Sequence, residues 1–299
     1  MVQVFVWLLY VIMTLAAPAL LLGWIKLLKA RMQGRKGPPL LQPYRDLLKW
    51  FRKDAVISQD ASWITAAAPY ISVSLMLTAA LMVPLAQSRA PLSFSGDIIV
   101  LFYLLAAARF ISLLAALDAG SNFGGMGASR ELAISSVIEP ALFLSLLPFM
   151  IHTGSTSFIG LGSVHHGVVP AQMLAALAYF FVLIAETGRI PVDNPDTHLE
   201  LTMVHEGMIL EFSGRYLALT HAAAWLKQWI LVMIGVNLFL PDIGIGSSWL
   251  EMLLKTVLLG AIIAVVETFN AKMRMYKIPY YIGTSMFISL IAIVISLWG

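Results

Sequence analysis

The sequence predicts an all-α, polytopic membrane bundle of about eight transmembrane helices, with a short amphipathic interfacial helix and a structured cytoplasmic loop. Of its 299 residues, 60% are hydrophobic and only 12% are charged, whereas a soluble domain has about a quarter charged residues. The apolar residues form runs of about 20, the length that crosses about 30 Å of hydrocarbon. Because no long polar segment separates the runs, we expect a single transmembrane domain over residues 1–299.

The order of the apolar runs predicts the order of the spans. They lie near 2–25, 67–88, 97–117, 131–151, 171–187, 221–240, 250–269 and 279–298. The first run lacks a basic stretch before it and a small-residue cleavage site after it, so we expect a retained span rather than a removed signal. The two halves of the chain do not resemble each other, which disfavours a free-standing transporter built from inverted repeats.

Basic residues are concentrated on one side of the predicted membrane. Alternate crossings place loops 26–66, 118–130, 188–220 and 270–278 on the same side, and these loops are rich in lysine and arginine, whereas the other side holds essentially Arg89. By the positive-inside rule the basic side is cytoplasmic, and both termini lie outside. Basic residues that flank membrane spans indicate lipid headgroups as neighbours rather than nucleic acid.

The first cytoplasmic loop combines a turn with an amphipathic segment. Gly34, Gly37 and three prolines favour a tight, extended turn. The segment from Tyr44 to Lys53 then has the apolar and basic faces of an interfacial helix. This region either touches lipid headgroups or forms a docking platform for a cytoplasmic partner. The candidate docking residues of this loop and of the loop after residue 187 are Arg35, Lys36, Arg45, Asp46, Arg189 and Asp193.

Two charges of opposite sign lie deep in neighbouring runs. Arg109 is about eight residues from the basic side of the third run and Glu139 about eight residues into the fourth, so at 1.5 Å per residue both are roughly 12 Å deep. Either charge facing lipid alone costs several kcal/mol, so we expect an ion pair or a shared network. A static structural pair explains this pattern as well as a functional pair does. Asp118 ends the third run and Glu131 begins the fourth.

The most informative segment is 186–215, ETGRIPVDNPDTHLELTMVHEGMILEFSGR, which is strongly charged although it joins two apolar runs. Its glycine and prolines break the preceding helix, and a short helix is predicted from Thr197. Ionisable groups near a membrane persist where they face a protein interior or a watery cavity. The ionisable side chains of this segment are therefore candidate proton carriers. For each of them, an ion pair with a nearby arginine explains its presence equally well. The candidates are Glu186, Glu200, Glu211, His198 and His205.

The sequence disfavours both metal and thiol chemistry in this chain. The two histidines of the segment are not spaced as in an HExxH motif. The chain has no cysteine, which excludes thiolate-ligated metal and iron–sulfur centres within it.

Two further charges flank apolar runs: Glu267 can join the acidic cluster, and Lys227 can extend toward the interface.

Three segments resemble the membrane subunit of respiratory complex I that helps form its quinone chamber. They resemble still more closely its counterpart in group 4 membrane-bound nickel–iron hydrogenases, which include formate hydrogenlyase and hydrogenase-4-type complexes. The segments are GRKGPPLLQPYRDLLK (34–49), LDAGSNFGGMGASRE (117–131) and ETGRIPVDNPDTHLELTMVHEGMILEFSGRYLAL (186–219). Together with the eight-span layout, the resemblance covers most of the chain.

The resemblance implies a subunit without a redox centre or a complete active site. Iron–sulfur clusters and a nickel–iron centre would lie in partners: hydrogenase-like large and small subunits and an iron–sulfur protein on the cytoplasmic side. Antiporter-like subunits would adjoin it in the cytoplasmic (inner) membrane of a bacterium or archaeon. The acidic path of the family falls on Glu131, Glu139, Glu186 and Glu211, which Asp118 and Arg109 can join.

Departures from the complex I pattern favour the hydrogenase branch. Gly188 stands where the complex I protein has asparagine, residues 196–198 read Asp-Thr-His, and His205-Glu206 is additional. We therefore expect a non-redox membrane anchor that docks an electron-transfer arm and couples it to proton or sodium translocation through buried carboxylates. The alternatives are a quinone-binding subunit of an NADH:quinone oxidoreductase and, less favoured, a free-standing ion transporter.

Overall fold

The computed structural model of the chain describes residues 2–86, 88–161, 169–194, 203–241, 244 and 246–298. The helices are α1 (Val2–Met32), α2 (Gln42–Phe51), α3 (Trp63–Ala80), α4 (Asp97–Asp118), α5 (Asn122–Thr153), α6 (Phe158–Leu161), α7 (Val169–Glu186), α8 (His205–Met208), α9 (Gly214–Phe239), α10 (Ser248–Phe269) and α11 (Ile278–Trp298). A 3-10 turn, Met275–Lys277, precedes α11. The described residues contain no strand.

The helices form the predicted all-α membrane bundle. Among the described residues, seven helices are long and apolar enough to cross a membrane, namely α1, α3, α4, α5, α9, α10 and α11, and α7 is a shorter apolar helix. The outer faces are apolar as lipid requires. On α1, for example, Leu8, Ile12 and Leu15 are each more than half exposed, and their spacing places them on one face of the helix.

Several helix ends differ from those predicted. Helix α5 begins at Asn122 rather than near residue 131, because the Ser121 side chain accepts a hydrogen bond from the Gly124 amide at 3.0 Å and so caps the helix. Most of the loop predicted at 118–130 is therefore helical. Helix α1 extends to Met32, into the loop predicted at 26–66, and α3 ends at Ala80, before its apolar run does.

Helix α9 lies at the centre of the bundle. Residues 228–236 of α9 are all buried, which means that neighbours surround this part of the helix. It packs against α1, α2, α3, α7 and α10, while α3 also packs against α4, and α11 packs against α5 and α7. The Tyr179 hydroxyl on α7 donates a 2.6 Å hydrogen bond to the Leu231 carbonyl on α9.

The four predicted basic loops meet at one end of the bundle. Ser213, just before α9, exchanges hydrogen bonds with the backbone of Val56 between α2 and α3. The Met273 amide, before α11, donates to the Pro191 carbonyl after α7 at 2.8 Å. We call this end of the bundle, formed by residues 33–62, 119–121, 187–194, 203–213 and 270–277, the basic end.

Candidate functional site

Arg109 on α4 is the centre of a charged cluster inside the bundle. Its guanidinium donates hydrogen bonds to Glu139 on α5 and to Glu186 at the end of α7. Its Nε lies 3.6 Å from Oε1 of Glu131 on α5, and Lys227 Nζ on α9 lies 3.5 Å from Oε1 of Glu186. The predicted contact between Arg109 and Glu139 is confirmed. We call these five residues the Arg109 cluster.

The Arg109 cluster is unbalanced in charge. Three carboxylates face two cations, so one negative charge is uncompensated when all five groups are ionised. Most members are shielded from solvent: the exposed fraction is 2% for the Glu186 side chain and 8% for Arg109. Glu139 differs, because 46% of its side chain is exposed on the outer surface of the bundle. An excess buried charge is costly unless a further partner compensates it.

Lys227 is the member of the cluster that sequence reasoning did not assign. From the sequence its side chain can extend toward the interface, but the structure turns it inward to Glu186. The signal was present in the sequence: a lysine between the apolar residues of α9, next to a glutamine. A cation at that depth needs an acid as a neighbour, yet only packing shows which acid it is.

A second charged network lies between the loop after α7 and the helices around it. The Arg189 guanidinium donates hydrogen bonds to Glu267 on α10 and, at 2.7 Å, to Oε1 of Gln228 on α9. Lys29 Nζ on α1 lies 3.4 Å from Oε2 of Glu267. Arg189 is buried. It therefore ties the loop to three helices from inside instead of presenting its charge at the surface.

Local backbone geometry explains why Arg189 points inward. Helix α7 ends at Glu186, and Gly188 adopts φ of 60°, a left-handed conformation that glycine reaches without a steric penalty. The Arg189 amide then donates to the Ile184 carbonyl at 3.1 Å. This turn reverses the chain against the end of α7, so Glu186 and Arg189 enter the two charged networks from the same short segment.

Asp193 organises the rest of that loop. Its Oδ1 lies 2.7 Å from Lys272 Nζ and accepts from the Asn194 amide at 2.8 Å. Its Oδ2 accepts from the His205 amide at 3.3 Å. Asp193 is also buried. Of the candidate docking residues, Arg35, Lys36 and Arg45 are exposed, whereas Asp46 is half-buried and accepts a hydrogen bond from Gln42.

His205 begins α8, which packs directly on α5. A Cβ added to Gly127 would lie 3.0 Å from the Gly207 carbonyl carbon, so the two backbones touch. This contact sets His205 Nδ1 at 3.8 Å from Oε2 of Glu131. Helix α8 ends at Met208 and is followed by a turn. Within the described part of the helix predicted from Thr197, only His205–Met208 is helical, as the single turn α8.

The remaining candidates lie apart from the Arg109 cluster. Oδ2 of Asp118 accepts hydrogen bonds from the Ser62 and Thr65 amides, both at 3.0 Å, and from the Thr65 hydroxyl at 2.6 Å. It joins the end of α4 to the start of α3. Glu211 is exposed in the turn before α9. His198 and Glu200 lie outside the described residues.

A cavity of about 450 Å³ lies beneath α2, and we call it the chamber. Its walls come from α1, α2, α8, α9, α10 and the loop after α7. Charged and titratable side chains line it, namely Lys26, Lys29, Asp46, Arg189, Asp193, His205, Glu206, His221 and Glu267. A smaller cavity of about 60 Å³ is lined by Arg109, Glu131 and Lys227. The described residues include no group of three or more His, Asp or Glu side chains placed to hold a metal ion.

Helix α2 forms one side of the chamber and is held there by contacts of Tyr44 and Trp50. The Tyr44 hydroxyl donates to the Ala16 carbonyl on α1, and burial raises the pKa of this phenol. The Trp50 ring stacks on His221 of α9, with ring centroids 4.6 Å apart and planes 16° from parallel. The amphipathic helix predicted from the sequence is confirmed, and these contacts anchor it to α1 and α9.

Similarity in sequence and fold identifies the chain as a complex I-like membrane subunit. The chain matches the NADH dehydrogenase family model over residues 4–297, and it belongs to that family. A solved chain in the structure of the membrane-bound sulfane sulfur reductase, an archaeal respiratory membrane complex, has the same fold. The TM-score is 0.84 at 21% identity, covering 97% of both chains.

Hydrogenase components are among its relatives. The chain is 34% identical over 289 residues to hydrogenase-4 component C of Escherichia coli (strain K12), covering 92% of this chain and 90% of that protein. It is 33% identical to formate hydrogenlyase subunit 4 of the same strain, covering 84% and 81%. Identity to an NADH-quinone oxidoreductase subunit of Rubrobacter xylanophilus is 29%, covering 75% and 72%.

Proposed function

We propose that the chain is the non-redox membrane-anchor subunit of a hydrogenase-type, complex I-like oxidoreductase complex. It docks an electron-transfer arm and couples that arm to proton or sodium translocation through buried carboxylates. The observation that carries this proposal is the Arg109 cluster, in which acids from α5 and α7 meet one guanidinium with a negative charge in excess. Acids that share one cation in this way are placed to exchange a proton when the spacing of the charges changes.

The basic end is the proposed docking surface. Arg35, Lys36 and Arg45 are exposed there and can pair with acidic groups of a partner. We assign this end to the cytoplasmic side of a bacterial or archaeal inner membrane by the positive-inside rule, with both termini outside. The partners are hydrogenase-like large and small subunits and an iron–sulfur protein, which would hold the nickel–iron centre and the clusters.

Coupling would run through the segment 186–194. Glu186 belongs to the Arg109 cluster, and Arg189 and Asp193 bind groups beside the basic end. A displacement of this segment by the docked arm would therefore move a carboxylate relative to Arg109 and Lys227. The proton affinity of the cluster would change in response, because the interaction of buried charges depends steeply on their separation.

Glu139 indicates where an adjoining membrane subunit would lie. Nearly half of its side chain is exposed on α5, between Leu132 and Phe143, which are also exposed. A carboxylate facing lipid at this depth costs several kcal/mol. A neighbouring antiporter-like subunit that covers this surface and offers a polar group would remove that cost, and it would receive the ion released from the Arg109 cluster.

The test uses the assembled complex in proteoliposomes. In Glu139→Gln and Glu186→Gln we expect electron transfer to continue while ion translocation falls at least about tenfold, because an amide does not carry a proton. Arg89→Gln, which changes an exposed charge away from the basic end, is the control and should behave as the native complex. Native translocation in both glutamine variants would reject the coupling role.

A quinone-binding subunit is the second candidate function. The chamber favours it, because about 450 Å³ lies within the range of small-molecule sites, roughly 300–1,000 Å³. The relative from Rubrobacter xylanophilus is named as a subunit of an NADH-quinone oxidoreductase. Turnover of the purified complex with a quinone as sole acceptor, lost on replacing a chamber residue such as Gln228, would establish this function in place of the first.

A further inference from the structure

His205 occupies a position that no other described titratable residue shares. It lines the chamber, the smaller cavity beside Arg109, and a third cavity of about 20 Å³ lined by Glu131 and Glu186. The chamber and the Arg109 cavity have four lining residues in common, His205, Ile209, Thr220 and Ala224. Of these four, only His205 carries an imidazole, whose two ring nitrogens can each bind or release a proton.

We infer that His205 is the proton-transfer residue between the chamber and the Arg109 cluster. The inference rests on the proposed function, since it names the route by which protons reach the coupling carboxylates. It concerns a residue that lies outside the hydrogen bonds of the cluster itself.

The distances and the chemistry of imidazole support a two-site transfer. Nδ1 lies 3.8 Å from Oε2 of Glu131, slightly beyond hydrogen-bond range, so a small approach of α8 makes the contact. A proton from chamber water binds the other ring nitrogen, and the Nδ1 proton passes to the Glu131 carboxylate. One proton enters and one leaves, and the imidazole ends neutral in its other tautomer. At about 30 Å³ per molecule, the chamber has room for roughly 15 waters.

The surroundings of His205 favour this role over a purely structural one. Glu131 faces it from α5, Asp193 holds its amide from the loop, Glu206 adjoins it, and His221 and Lys227 of α9 line the two cavities that it separates. The other histidine of the chamber, His221, is stacked against Trp50. The His205 side chain is more than a third exposed and has room to turn.

The position of α8 also allows His205 to respond to the partner arm. Its amide is bound by Asp193, whose carboxylate is in turn held by Lys272 before α11. Both residues belong to the basic end. A shift of that end would therefore change the separation of His205 and Glu131. Proton transfer through His205 would proceed when the two side chains are close and stop when they are apart.

The test combines two substitutions with chemical rescue in the assembled complex. In His205→Ala and His205→Gln we expect ion translocation to fall at least about tenfold at neutral pH, with an ionisation missing from the pH profile. Added imidazole, which the chamber is large enough to admit, should restore His205→Ala. His152→Ala, an exposed histidine at the other end of α5, is the matched control. Imidazole should not restore Glu186→Gln, which lacks the carboxylate.

The outcomes separate this inference from the proposed function. Native translocation in both His205 variants, with loss in Glu186→Gln, would overturn the role of His205 and leave the coupling function standing. A loss that imidazole does not restore, with the native pH profile retained, shows a structural role and also overturns the inference. Native translocation in the His205 and glutamate variants alike would reject the proposed function itself.

Discussion

Arg109 and Glu186 are 77 positions apart in the chain and are joined by a hydrogen bond inside the bundle. This bond links α4 to the last residue of α7, where the loop of the basic end begins. Because the guanidinium has several donors in a fixed plane, it binds Glu139 on α5 at the same time. The contact therefore holds three helices around one cation, and its loss affects both stability and the charge balance of the cluster.

Replacing Arg109 tests that balance. Arg109→Met leaves three carboxylates with Lys227 alone, and breaking a buried pair costs about 3–5 kcal/mol. We expect a markedly lower thermal midpoint for the purified chain in detergent. Arg109→Met combined with Glu186→Gln should recover part of the loss, because it removes one of the unpaired acids. The control is Arg89→Met, an exposed arginine away from the cluster. Equal stability of the single variant and the native chain would contradict this account.

Replacing Gly127 tests the contact that positions His205. A Cβ at Gly127 would press on backbone atoms of Gly207 and Met208 at 3.0 Å, and neither atom can move aside without displacing α8. Overpacking of this kind costs about 1–3 kcal/mol. We expect Gly127→Ala to lower the thermal midpoint and to speed proteolysis around α8.

Gly125→Ala is the matched control for that substitution. It lies in the same helix, and its added Cβ has nothing within 4 Å, so alanine should raise helix stability by roughly 0.5–1 kcal/mol. If the two alanine variants behaved alike, α8 would not be packed on α5 as described.

We expect Asp118 to stabilise the N-terminal end of α3. Its carboxylate accepts three hydrogen bonds from Ser62 and Thr65, and loss of a capping side chain costs about 0.5–2 kcal/mol. Asp118→Ala should therefore reduce the thermal stability of the purified chain, whereas Asp118→Asn keeps one acceptor oxygen and should lose less. Asp60→Ala, an exposed acid in the preceding loop, should have no measurable effect. A fully stable Asp118→Ala variant would remove the capping role.

Tyr44 is expected to make the attachment of α2 depend on pH. Burial raises the pKa of its phenol, so the folded chain holds this proton more tightly than the unfolded chain does. The contribution to stability is then fully present below the ordinary value of about 10 and is lost as the pH rises through the raised pKa. Tyr44→Phe should show a smaller fall in thermal midpoint above pH 10, and Tyr280→Phe, which is exposed, should retain the native dependence.

Tyr44→Phe also loses the hydrogen bond to Ala16 on α1, which is worth about 1 kcal/mol. Proteolysis between α1 and α2 reports the attachment directly. An identical pH dependence in native chain and Tyr44→Phe would show that this phenol does not anchor the helix.

Most of the secondary structure was predictable from the sequence. The eight apolar runs became helices, and the segment from Tyr44 became α2, because hydrophobic length and amphipathic spacing are local properties. Errors fell where local signals compete with packing. Ser121 starts a helix through a glycine-rich stretch that resembles a loop, and α8, which packs on α5 at Gly127, is only one turn long.

The candidate site was predictable only in part. The depth of Arg109 and Glu139 followed from counting residues along two antiparallel helices, and their contact is confirmed. The inward turn of Lys227, the burial of Arg189 and Asp193, and the separation of Asp118 from the Arg109 cluster did not follow. Each depends on which face of a helix meets which neighbour, and a nearly uniform apolar span carries no such periodicity.

The sequence by itself determined that this chain spans a membrane, which loops carry the basic charge, and which family the chain belongs to. It could do so because transfer free energy and sequence motifs are properties of individual residues and short segments. The tertiary structure alone decided which charges meet. Helices α4, α5, α7 and α9 each bring one or two ionisable groups to a common point. The groups meet there because an unpaired charge in the apolar interior is costly, and that cost is relieved only by a partner from another helix.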